Sequence, residues 1–110
     1  MTRIRFDDTI YLKIFLNSEN EVMYMAVHEI LAALSDKERR KIIEILKRGK
    51  ISSGDLAKEM NMTPQALSYH LKKLKNADII YETKYKNFIY YELDLTVLDE
   101  IILWINDLKA

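Results

Sequence analysis

At 110 residues, 49% apolar and 31% charged, the chain has the size and balance of one soluble globular domain. It contains no cysteine, which excludes disulfides, thiolate metal sites and cysteine nucleophiles. The formal net charge is zero, yet residues 37–86 hold 13 Lys/Arg against 6 Asp/Glu, a net of +7, and the remainder holds 4 against 11, a net of −7. Such a basic centre suits a polyanion; the alternative is a set of solvated helix faces.

With 2 Gly and 1 Pro, long loops and sandwiches of short strands are disfavoured, so a mainly α-helical fold is expected. Asp7, Asp8 and Lys13 interrupt any signal-peptide pattern, and no stretch nears the ~18 apolar residues of a membrane span. A cytoplasmic location is expected. Residues 1–21 are read as an N-terminal extension whose secondary structure the pattern leaves undecided. Ile10, Tyr11, Ile14 and Phe15 suit a helix, but the same run suits a strand. Residues 9–16 are expected beside the last helix at a dimer interface, and Asn17 to Glu21 is polar and suits a connection.

From residue 22 to 34, Met23, Ala26, Val27, Ile30, Leu31 and Leu34 recur at helical spacing and predict an amphipathic helix. Ser35, followed by Glu38, has the form of a capping box and predicts a second helix. Its inner positions are Ile42, Ile43, Ile45 and Leu46, and its outer ones Arg39, Arg40, Lys41, Lys47 and Arg48. Gly49 is the expected stop, because glycine enters left-handed backbone without strain.

Ser52 or Ser53 can cap a short helix over 54–60, with Leu56, Ala57 and Met60 inward and Asn61 as a left-handed terminator. Thr63 and Pro64 then start a fourth helix that runs to about Asn76 and buries Leu67, Leu71 and Leu74. Two short helices so joined make a helix-turn-helix over 53–76. Residues 79–83 and 88–93 are rich in β-branched and aromatic side chains and predict a hairpin over 79–93, a wing with Lys84, Tyr85, Lys86 and Asn87 at its tip. Thr96 is placed as the cap of a last helix, over 96–109. Its Val97, Leu98, Ile101, Ile102, Leu103, Trp104, Ile105 and Leu108 cover more than one face. A small domain cannot bury so apolar a helix alone, so Val97, Ile101, Trp104, Ile105 and Leu108 are assigned to a homodimer interface.

Several of these pieces together resemble the ArsR/SmtB family of bacterial repressors. They are Ala33-Leu34-Ser35-Asp36 with Arg39-Arg40, then Gly54-Asp55-Leu56-Ala57, then the run from Leu67 to Leu74, then Tyr90-Tyr91-Glu92-Leu93. The tail, with Thr96-Val97-Leu98 and Trp104, is similar to the SdpR-like autorepressor branch. The resemblance implies a winged helix-turn-helix that dimerises through terminal helices and binds double-stranded DNA.

A recognition helix reads base edges in the major groove through its N-terminal part. The resemblance places those base contacts on Gln65, Ser68 and Tyr69; for Tyr69 the alternative is packing on its own domain. Thr63, Lys58, His70, Lys72 and Lys73 are candidate backbone contacts, which set affinity more than sequence choice. On the wing, Lys84, Lys86 and Asn87 are candidates for the minor groove or phosphates, or simply keep the tip soluble.

Many relatives of this family sense metals through two cysteines near the Asp-Leu-Ala stretch, where this chain has Ser52 and Gly54. The last-helix site of other relatives pairs carboxylates with imidazoles; the tail offers Asp94, Asp99, Glu100 and Asp107 but no histidine. His28 and His70 lie on different helices, and His28 is expected to be partly buried. No metal or cofactor is therefore expected. An enzyme is not expected either: the only glycines, Gly49 and Gly54, form no phosphate loop, and neither histidine sits in a nucleophile motif. The expected function is a homodimeric, sequence-specific transcription repressor on a palindromic operator. The competing reading is a winged-helix protein–protein interaction module. The inducing signal stays open: a small molecule, a protein partner, or none.

Overall fold

A computed structural model of the chain describes residues 19–110, with side-chain surroundings from residue 25 onward. Expectations for residues 1–18, and for the side chain of Met23, lie outside the described residues. The elements in order are α1 (Glu19–Leu34), α2 (Lys37–Leu46), β1 (Ile51–Ser52), α3 (Ser53–Met60), α4 (Pro64–Asn76), β2 (Ile80–Tyr85), β3 (Phe88–Leu93), a 3-10 turn (Leu95–Val97) and α5 (Leu98–Lys109). Glu19, Asn20 and Glu21 belong to α1, so the helix starts earlier than the polar composition there indicated.

One core joins every layer. Ile30 of α1, Ile42 of α2, Leu56 of α3, Leu74 of α4, and Ile79 and Ile80 at the start of the wing are almost fully removed from solvent. Burying an aliphatic side chain of this size contributes about 1.5–3 kcal/mol, so these positions fix how the helices cross. Leu67, Leu71 and Leu74 lie on the inner side of α4, as their spacing predicts. In α1 the inner face comprises Val27, Ile30 and Ala33, while Leu31 stays exposed, although the sequence pattern placed it inward.

The α1–α2 junction departs from the capping-box reading. Ser35 closes α1 instead of opening α2: its Oγ donates to the Ala32 carbonyl at 2.7 Å. Asp36, in extended backbone, is the cap, and its carboxylate accepts from the Arg39 N–H at 3.1 Å. A serine and an aspartate side by side can each serve as a cap, and the short reach back to Ala32 decides between them. Gly49 sits at φ +127°, a conformation costly for any residue with a Cβ, and its N–H bonds the Leu46 carbonyl at 3.0 Å. It closes the helix two turn residues beyond Leu46.

The sheet order is β1-β3-β2, all antiparallel. The sequence contained no signal for β1, a two-residue strand in which Ile51 pairs with Tyr91 and Ser52 with Tyr90. The hairpin turn is tighter than expected: Tyr85 pairs with Phe88, so Lys84 and Tyr85 belong to β2 and only Lys86 and Asn87 form the tip. Lys86 takes φ +55° there.

At the last helix, Asp94 and not Thr96 provides the cap, its Oδ1 accepting from the Thr96 N–H at 3.0 Å to open the 3-10 turn. The α5 helix packs on α1, burying Ile101 and half-burying Leu98 and Trp104. Ile102, Leu103, Ile105 and Leu108 remain exposed, as do Met25 and Leu31 of α1. No helix among the described residues is long and apolar enough to cross a membrane.

Candidate nucleic-acid interface

Two capped helices, α3 and α4, make the site. Ser52 accepts from the Asp55 N–H at 3.2 Å and starts α3; Asn61 ends it in the left-handed region at φ +54°. Thr63 accepts from the Ala66 N–H at 3.1 Å, and Pro64 follows in the first turn. The α4 helix ends in a Schellman arrangement: the Asp78 N–H bonds the Lys75 carbonyl, and the Ile79 N–H bonds the Leu74 carbonyl at 3.1 Å. Asp78 occupies the left-handed position at φ +60°, where glycine is usual, which is why the sequence contained no stop signal.

Between these ends α4 divides cleanly. Its inner side is Leu67, Leu71 and Leu74, and its outer side presents Gln65, Ser68, Tyr69, Lys72 and Lys73 to solvent. Gln65, Ser68, Tyr69 and Lys72 follow the i, i+3, i+4, i+7 spacing of one helix face, so they are presented together. Tyr69 is 57% exposed and therefore not packed into its own domain; the Lys73 ammonium lies 5.6 Å from its ring centroid. No acidic residue occurs in the first turn of α4, and Lys73 and Lys75 lie in its last turn. Lys75 pairs with Glu82 of β2, which holds the wing against the helix. Thr63 and Lys58 are exposed near the start of α4.

His70 differs from its neighbours. Its side chain is only 15% exposed, and its Nδ1 lies 3.2 Å from Arg39 Nη1 and 3.7 Å from Asp36 Oδ2. Arg39 is itself buried, at 8% exposure, although its place in the sequence pattern put it outside. Its Nε donates to the Ala33 carbonyl at 2.7 Å and its Nη2 to that of Ala32 at 3.2 Å. Partial desolvation raises the Asp36 carboxyl, but the Arg39 N–H and the Arg39 charge hold it below the usual carboxylate range.

On the wing, Lys84, Lys86 and Asn87 are exposed, as are Tyr85 and Phe88, which sequence reasoning did not assign a role. Lys86 Nζ lies 5.4 Å from the Tyr85 ring centroid, and Lys50 Nζ 5.6 Å from that of Tyr90. Of the residues assigned to a dimer interface, Ile105 and Leu108 are exposed, Val97 and Trp104 are half-buried, and Ile101 belongs to the protomer's own core. Ile101, expected at that interface, is already buried in the protomer's own core cluster. His28 is exposed rather than partly buried. Among the described residues no group of three or more His, Cys, Asp or Glu side chains is arranged to hold a metal ion.

Comparison with known proteins agrees with this architecture. Residues 36–82 match the family described as "Bacterial regulatory protein, arsR family". The transcriptional repressor SdpR of Bacillus subtilis is 40% identical over 78 residues, which span 71% of this chain and 87% of SdpR. An arsenical resistance operon repressor of Staphylococcus aureus is 31% identical over 83 residues, 76% of this chain and 80% of that protein. The solved structure of an ArsR-like transcriptional regulator from Rhodococcus sp. RHA1 superposes with a TM-score of 0.73 at 26% identity, covering 78% of this chain and 79% of that one. The chain belongs to the arsR family of bacterial regulatory proteins.

Proposed function

We propose that the chain is a sequence-specific DNA-binding transcription repressor that acts as a homodimer on a roughly palindromic operator. The observation that carries this reading is the outer face of α4: Gln65, Ser68 and Tyr69 stand clear of the protein at the N-terminal half of a firmly capped helix. A glutamine can pair with adenine in two-pronged fashion and a serine can serve several bases. Thr63, Lys58, Lys72 and Lys73 flank that face and are suited to phosphates, and Lys84, Lys86 and Asn87 extend the same chemistry along the wing. The relatives at 40% and 31% identity are named as repressors, which supports the same assignment. An interaction module with a protein partner would not need polar, base-sized groups presented at a helix N-terminus.

The apolar side chains left uncovered on α5 and α1 support the homodimer. Leu108 is 65% exposed, with Ile102, Leu103, Ile105, Met25 and Leu31 on the same two helices. A second copy covers them most simply, by a self-complementary contact, and sets two recognition helices about 34 Å apart, one DNA turn. The repressor occupies promoter DNA and excludes polymerase.

The test is binding to the DNA upstream of the protein's own gene at several salt concentrations, with a Gln65→Ala/Ser68→Ala variant alongside. Binding is expected to be salt-sensitive and sequence-selective, and the variant is expected to lose about 1–3 kcal/mol for each two-pronged base contact removed. Weak binding, equal for all sequences and unchanged in the variant, overturns the reading.

A further inference from the structure

Three features of the molecule take no direct part in base reading: the exposed aromatics of the wing, the carboxylates beside the α1–α5 contact, and the buried Arg39 with its partners. The third is the best determined. Arg39 reaches three elements at once. Its backbone belongs to α2, its Nε and Nη2 bond the last carbonyls of α1, at Ala33 and Ala32, and its Nη1 contacts Nδ1 of His70 on α4. We propose that Arg39 and His70 form a clasp that sets the pose of the recognition helix against α1, making His70 a positioning residue for DNA reading rather than a DNA contact; this inference rests on the DNA-binding assignment above.

The chemistry of the two groups defines the clasp. A guanidinium has five donors and no acceptor. The Arg39–His70 contact at 3.2 Å is a hydrogen bond only if Nδ1 accepts, so the clasp requires a neutral imidazole with its proton on Nε2. The Asp36 carboxylate, 3.7 Å from the same nitrogen, is too far for a hydrogen bond in this arrangement. A proton on Nδ1 would invert it, turning that nitrogen from the guanidinium toward Asp36.

The clasp acts on the base-reading face through one step. The rings of His70 and Tyr69 meet edge-to-face with centroids 5.4 Å apart, and the Lys73 ammonium lies 5.6 Å from the Tyr69 ring centroid. Fixing His70 restricts the rotation of α4 about its own axis, and with it the direction of Gln65, Ser68 and Tyr69. Lysine could not replace Arg39, because an ammonium lacks the planar fork that meets two carbonyls and an imidazole from one position.

Two substitutions at His70 separate this role from the alternatives. In His70→Asn the amide oxygen takes the place of Nδ1 and preserves the acceptor; in His70→Leu the volume is roughly kept and the acceptor is lost. Each variant is titrated with the upstream DNA fragment and with unrelated DNA, and its thermal unfolding is recorded. His70→Asn is expected to bind the upstream fragment as the parent does. His70→Leu is expected to lose about ten- to a hundred-fold in selective affinity, the scale of one hydrogen bond to a charged group, with binding to unrelated DNA unchanged. Equal losses in both variants would mean that Nε2–H touches DNA itself, and no loss in either would mean that His70 only fills space; each overturns the proposal. Should His70→Leu fail to fold, nitrogen-15 NMR of the parent protein decides without DNA. A neutral ring protonated on Nε2 agrees with the clasp, and a ring protonated on Nδ1 overturns it. A parent that shows no selectivity for any fragment refutes the DNA assignment instead and leaves the NMR result standing on its own.

Discussion

The centre of the chain and its terminal helices solve the problem of burial differently. In the centre, α2, α3, α4 and the wing complete one another: Ile42, Leu56 and Leu74 are fully covered, and what remains outside is polar and basic apart from the aromatic rings of Tyr69, Tyr85 and Phe88. At the α1–α5 layer, Ile30 and Ile101 are covered, but Ile102, Leu103, Ile105 and Leu108 are not. Exposed apolar groups that cluster on one layer mark an interaction surface, whereas single ones are ordinary. One half of the molecule is thus finished as a folding unit and offers its surface to a polar ligand; the other leaves an apolar face uncovered by the described residues, the face proposed above for a second copy. The two halves also carry opposite charge, so DNA is drawn to one and repelled by the other.

The contrast can be broken most severely at the terminal layer. Leu103→Glu with Leu108→Glu should leave the protomer folded, because both side chains are exposed, and give monomers by analytical ultracentrifugation at micromolar concentration. Operator affinity should then fall about 10²–10⁴-fold, since two linked half-sites are no longer engaged together. Next in size is Leu74→Ala in the centre. It is expected to cost about 2–5 kcal/mol in urea unfolding, because a fully buried leucine leaves a cavity that the surrounding helices cannot close. Thr63→Ala removes only the cap of α4 and should cost about 1 kcal/mol, measured the same way. The smallest effects are those of pH. The Asp36 carboxyl is held low in the folded state, so its contribution is present above the ordinary carboxylate range and is lost as pH falls through its depressed value. Glu100 has the opposite sign. Desolvation pushes its carboxyl up, so its ionisation disfavours folding as pH rises through that range. Asp36→Asn should therefore flatten the acid limb of a melting-temperature profile, and Glu100→Gln should raise stability slightly at neutral pH.

How much of this was legible depended on whether the signal was local. Thr63-Pro64, Asn61 and the leucines of α4 are local: cap, fixed φ, left-handed terminator and helical spacing act within a turn, and all four appear where expected. The outer face of α4 was legible for the same reason, because it is the complement of Leu67, Leu71 and Leu74. What escaped was decided by distant partners. Arg39 looked like a solvated cation until the ends of α1 and His70 were brought beside it. β1 exists only because β3 lies alongside. Ile101 and Ile105 are alike in sequence, and only the packing of the folded chain makes one core and the other surface. The choice between Ser35 and Asp36 turned on a single hydrogen bond back to Ala32.

Ser52 holds two positions at once: it is the strand partner of Tyr90 in the wing and the cap of α3. A residue shared in this way leaves no hinge between the hairpin and the first helix of the helix-turn-helix. Fraying of the sheet edge would uncap α3, and fraying of α3 would free the edge. Amide exchange in the two places should therefore share one opening free energy, as for a single cooperative unit. The wing is then less an appendage carried beside the recognition helix than part of the frame on which that helix is mounted.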